Sequence, residues 1–143
     1  MKDSVFLYNM AEEKGIPIFP FPLQETGSLC IQFPDGSCNI GIDENLLKTE
    51  SEKIVHLGHE LGHCCTGSFY NRYSPFEIRQ RHENKADKWA IQNLISAEDL
   101  DGAVADGYTD LWSLAEYFDV TEDFMRKVVC WYTCGNLDID WYF

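Results

Sequence analysis

The chain has 143 residues, 45% of them hydrophobic, which suffices to bury a core and fits a single domain over 1–143. Its 11 Lys and Arg stand against 24 Asp and Glu, a formal net charge of -13. A phosphate backbone would be repelled, which argues against direct nucleic-acid binding but leaves a basic protein as a partner. No run approaches the roughly 18–20 apolar residues of a membrane span, and the opening MKDSVFLYNMAEEKG lacks the apolar stretch of a secretion signal. A cytoplasmic protein is therefore expected.

In chain order, residues 4–14 read as a short helix, with Ser4 to cap its start and Gly15 where a C-terminal cap belongs. IPIFPFPL, 16–23, carries prolines at 17, 20 and 22. These cannot donate to a ladder, so the segment should be extended and pair only at a sheet edge. GSLCIQF, 27–33, and SCNIGID, 37–43, read as a hairpin turned by Pro34-Asp35-Gly36. A helix follows over 50–66. The next is expected over 75–95, with Ser74 as N-cap, Pro75 first in the helix and Glu77 three residues past the cap. Ser96 and Asp99 open a further segment, and Thr109 and Thr121 are read as caps of helices over 109–118 and 121–132. GNLDIDWYF, 135–143, alternates apolar positions but is too short to assign. The order is α+β: a small antiparallel sheet packed on a mainly helical body.

Six cysteines stand at 30, 38, 64, 65, 130 and 134. With nothing pointing to export, and no CxxC pair, they are expected to be reduced thiols rather than a disulfide framework or a thiolate metal site.

The chemical signal is His59-Glu60-Leu61-Gly62-His63, an HExxH motif. Histidines four apart on a helix point the same way, so both rings can converge on one ion. With His59 at zero, His63, His56 and Glu60 fall within about 100°, whereas Leu57, Ile54, Leu61, Cys65 and Gly58 fall between about 160° and 260°. One face carries polar chemistry and the other anchors to the core. Glu60 then flanks the ion rather than binding it, placed to take a proton from water. Downstream, RHENKADKWA offers Glu83 as a third ligand, and Asp87, four residues on, as an acceptor for an imidazole N–H. Ala86, Trp89, Ala90 and Leu94 are assigned to the opposite, partly apolar stripe. One Zn2+ per chain is the expected cofactor, although the same donor set suits iron and manganese.

HLGHELGH at 56–63 followed by HENKADKWAIQNLI at 82–95 resembles the ImmA/IrrE family of zinc metallopeptidases; AEEKGIPI and LAEYFDVTEDFMRKVV resemble its flanking segments, so that the likeness covers most of residues 5–130. By motif, His59, His63 and Glu83 match the family's metal ligands, Glu60 its general base and Asp87 the acid four residues on. The resemblance implies a zincin-like fold. For many members it also implies cleavage of a helix-turn-helix transcriptional repressor of a phage or mobile element. At this length an added sensing or DNA-binding domain is not expected.

Candidates to hold the oxyanion or contact substrate are Tyr70, Tyr73, His82, His56 and Tyr108, unranked by sequence. The strand near 37–43 is expected to take an extended peptide by edge addition. The alternative is a non-catalytic antirepressor that sequesters a repressor, with a structural metal; a hydrolase of a small non-protein substrate is a further one. The aromatics Trp112, Tyr117, Phe118, Phe124, Trp131 and Tyr132 are expected in the core, and the acidic clusters at 98–106 and 138–140 on the solvated surface. Oligomeric state has no signal in the sequence.

Overall fold

Helix α1, Ser4–Glu13, opens the fold in the computed structural model, which describes residues 2–135 and 137. Its cap is Asp3, whose carboxylate accepts from the Phe6 N–H at 3.0 Å; the expected cap, Ser4, instead donates its backbone N–H to Glu50. Three strands follow: β1 Ile18–Pro20, β2 Ser28–Gln32 and β3 Cys38–Ile42, in the order β1-β3-β2. β2 and β3 form the expected hairpin. The sheet is nevertheless mixed rather than antiparallel, because β1 runs parallel to β3. β1 takes an outer position, where Pro20 costs no ladder bond. Ile40 and Ile42 of β3 join the core with Ile54, Leu57 and Leu61 of helix α2, Glu50–Thr66.

α3, Phe76–Leu94, runs back along α2. It begins after Pro75 with no side-chain cap, since the Ser74 hydroxyl accepts from Asn71 N–H inside the preceding turn. α4, Ala97–Ala105, has the full Ser96–Asp99 capping box. α5, Leu111–Phe118, is capped by Asp110, not Thr109, and α6, Glu122–Cys134, by Thr121 as expected. Among the described residues, no helix is long and apolar enough to cross a membrane.

Two further expectations are revised. Trp112 is 60% exposed and Tyr117 lies on the surface, whereas Phe118 and Phe124 are buried and Trp131 and Tyr132 pack against the core. Cys38 and Cys64 are joined as a disulfide rather than reduced, with Cα atoms 5.9 Å apart, because the fold sets the start of β3 against the last turn of α2. The acidic residues of α4 are solvated as expected. The 138–140 cluster, and all of the 135–143 segment except Gly135 and Leu137, lie outside the described residues.

Candidate metal centre

The centre is built on a close approach of two helices. A Cβ added to Gly62 would lie 2.9 Å from Ala86 C and Cα, and one added to Gly58 would lie 3.1 Å from Leu94 and 3.3 Å from Ala90. α2 and α3 thus meet backbone to backbone along a seam of small residues, and only glycine fits at 62. This corrects the expected stripes of α3: Ala86, Ala90 and Leu94 share the face of Glu83 and Asp87. By the helical period the five residues fall within an arc of about 100°. The short interhelical distance is what lets a carboxylate on α3 reach imidazoles on α2.

The two rings are held from behind. His59 Nδ1 donates to Asp87 Oδ1 at 2.7 Å. Gly67, at φ 65°, ends α2 in the left-handed conformation and folds the chain back. His63 Nδ1 then donates to the Ser68 carbonyl at 2.6 Å. A carboxylate and a carbonyl can only accept, so both Nδ1 atoms carry hydrogen. Both Nε2 lone pairs then point forward, 3.1 Å apart, with Glu83 oxygens 2.7 Å from His59 Nε2 and 3.2 Å from His63 Nε2. Three acceptors this close repel unless a cation or a proton lies among them. Ligands held at about 2.0–2.1 Å in a tetrahedron stand about 3.3 Å apart, so the donor set and its spacing fit a divalent ion.

With no ion, a proton on His59 fills the gap. Burial pulls that imidazole down, but its bonds to Asp87 and Glu83 outweigh this and hold it up at about 10. Burial likewise opposes ionisation of Glu83, yet the bonds it accepts from His59 and Tyr70 keep it well below the usual carboxylate range.

Glu60 is buried, with an oxygen within 4.8 Å of the candidate ligand atoms of His59 and His63, whereas Glu83 meets both rings at 2.7 and 3.2 Å. Its Oε2 accepts from the Ser28 hydroxyl at 2.8 Å. That hydroxyl has one hydrogen, so at its 2.8 Å contact with His56 Nδ1 it accepts. Burial lowers the His56 pKa and so favours the neutral ring, which makes this bond as the tautomer with its hydrogen on Nδ1. Cys30 adds a thiol, pushed up by burial and by the charge and hydrogen bond of Glu60.

These groups line a cleft of about 460 Å³ under β2. A larger cavity of about 580 Å³ lies between the end of α3, α4 and α5, but no histidine or cysteine lines it. Ser28, Leu29 and Cys30 all border the cleft, and since successive strand residues point to opposite faces, it is the edge of β2 that faces it. β3 is central, so the strand at 37–43 has no free edge for a peptide; that possibility passes to β2.

A family model described as the IrrE N-terminal-like domain, of the M78 peptidases, matches residues 11–128. The chain belongs to the M78 peptidase family. Its zincin-like α+β fold and metallopeptidase-type function follow from that membership, and the His-Glu-His cluster is compatible with a metal. Neither the search of curated proteins nor that of solved structures gave a match.

Of the candidate contacts in this M78 peptidase, Tyr70 and His56 line the cleft. Tyr70 donates to Glu83 Oε1 at 2.5 Å, and its phenol is pushed up to about 12 by burial and then by that carboxylate. His82 stacks on Tyr70, outside the cleft lining. Tyr73 is 79% exposed on the loop between α2 and α3, and Tyr108 packs on Tyr117, so neither is brought to the centre. Sequence reading missed Ser28, Cys30 and the Ser68 carbonyl. The hairpin prediction placed the first two on a strand, but nothing in the sequence sets that strand over α2.

Proposed function

We propose that this chain is a zinc-dependent endopeptidase that cuts an extended segment of a protein laid along the edge of β2. His59, His63 and Glu83 would hold one ion, and Glu60 would act as general base. The observation that carries this reading is the convergence of two Nε2 lone pairs and one carboxylate, with both Nδ1 hydrogens committed elsewhere.

A bound ion supplies Lewis acidity, drawing the pKa of water towards about 7. The residues do the rest. Ser28 fixes Glu60 through Oε2, leaving the other oxygen to take a proton from water and pass it to the leaving amine. Tyr70 stays protonated at neutral pH and can turn from Glu83 to donate to the oxyanion. A β2 edge pairs with any backbone, so it suits a peptide substrate better than a small molecule.

For the target, family resemblance supports a helix-turn-helix repressor of a phage or mobile element, met in the cytoplasm. The net charge of -13 favours a basic partner. The test is to incubate wild type, Glu60→Gln and His63→Ala with a candidate repressor and to measure zinc content alongside. Wild type should hold about one zinc per chain and cut the repressor. Glu60→Gln should keep its zinc and lose about a hundredfold or more in rate. A repressor released from its operator but intact on a gel would instead mean sequestration, and undiminished cleavage by Glu60→Gln would remove that residue from its role.

A further inference from the structure

α6 reaches the centre without touching the ligands. Lys127 Nζ donates to Asp87 Oδ2 at 2.9 Å, while Asp87 Oδ1 accepts from His59 Nδ1 at 2.7 Å. Asp87 is 6% exposed. A buried carboxylate with one oxygen committed needs a partner for the other, or it turns away or loses its charge. Among the described residues, Lys127 is the lysine or arginine paired with Asp87.

The ammonium is itself well placed. α6 is docked along α3 at further points: Lys88 Nζ lies 4.8 Å above the Trp131 ring, and the Tyr132 hydroxyl donates to the Ile95 carbonyl at 2.6 Å. Lys127 therefore comes from a fixed helix, and it fixes the Asp87 carboxylate in turn. That carboxylate sets the plane of the His59 ring and hence the direction of its Nε2 lone pair.

We propose that Lys127 is a positioning residue of the metal centre, acting through Asp87 on His59 to tighten the hold on the ion. The inference rests on the metal-centre reading above. Neither sequence spacing nor the HExxH motif points to it, since Lys127 lies 40 residues beyond Asp87.

The test measures zinc affinity by competition with a chromophoric chelator for wild type, Lys127→Met, Lys127→Arg, Asp87→Asn and the double variant Asp87→Asn/Lys127→Met. Lys127→Met should weaken zinc binding about tenfold, the lower end of what loss of a ligand's supporting partner costs. Lys127→Arg keeps a donor and a charge and should stay within about threefold of wild type. In the Asp87→Asn background, Lys127→Met should cost nothing more, because the group it acts through is gone. The visible spectrum of the cobalt-substituted protein should change in Lys127→Met and return in Lys127→Arg. The thermal midpoint of each metal-free variant separates loss of fold from loss of affinity. Wild-type affinity in Lys127→Met, or an equal loss in the Asp87→Asn background, overturns the inference while leaving the metal centre standing. A wild-type protein that binds no divalent ion overturns both.

Discussion

Gly62→Ala tests the seam on which the centre depends. Taken alone, α2 should welcome the change, since alanine is better than glycine in a helix interior by about 1 kcal/mol. Across the seam, the new methyl carbon would lie 2.9 Å from Ala86 C and Cα and closer still to its oxygen. These are backbone atoms, so no rotamer change relieves the clash and α3 must retreat by roughly 1 Å. Overpacking of this kind costs about 1–3 kcal/mol. With strain at the upper end, the net effect expected is a loss of about 1–2 kcal/mol in the metal-free protein. The same retreat draws Glu83 off the two imidazoles it now meets at 2.7 and 3.2 Å, so zinc affinity should fall by at least about tenfold. Urea unfolding in EDTA reads the first effect and chelator competition the second. Gly102→Ala in α4 is the control: nothing lies within 4 Å of its added methyl, so only the propensity gain of up to about 1 kcal/mol should appear. If Gly62→Ala behaves like Gly102→Ala and binds zinc as wild type does, the backbone-to-backbone approach of α2 and α3 is wrong.

Ser28→Ala removes the hydroxyl that holds Glu60. It should lower kcat about tenfold with zinc content unchanged; an unaltered kcat would mean that Glu60 needs no such support. In the metal-free protein the His59 pKa is raised from 6.5 to about 10. Its stabilising effect should be full below pH 6.5 and fade as pH climbs towards 10, whereas zinc, taking the proton's place, should remove that fading and release about one proton on binding near neutral pH. A urea midpoint of the EDTA-treated protein that is flat across this window would refute the proton on His59. The Cys38–Cys64 bridge closes 26 residues of chain, so reduction should cost about 3.5 kcal/mol of stability. Peptide mapping without reductant should recover the linked pair, and finding both cysteines alkylated would exclude it.

Much of the centre was legible because it is local. The α-helical period alone sets His59 beside His63 and Glu83 beside Asp87, whatever the rest of the chain does. Caps were legible where a side chain competes for a nearby N–H, as at Ser96 and Thr121. They slipped by one residue at Asp3 and Asp110, where two adjacent residues could each serve. The Ser68 carbonyl left no mark, because every residue has one and only the turn at Gly67 aims this one at His63.

What the sequence by itself determined, then, was the pair of half-sites: two imidazoles on one helix and two carboxylates on the next. Tertiary structure alone decided that they meet, through the contact of Gly62 with the Ala86 backbone, and that Ser28 from β2 and Lys127 from α6 arrive to hold Glu60 and Asp87. The reason is one of range. Spacing within a helix follows from covalent geometry and its hydrogen bonds, whereas contact between elements follows from how whole faces pack, and the pattern of any single segment does not contain its partner.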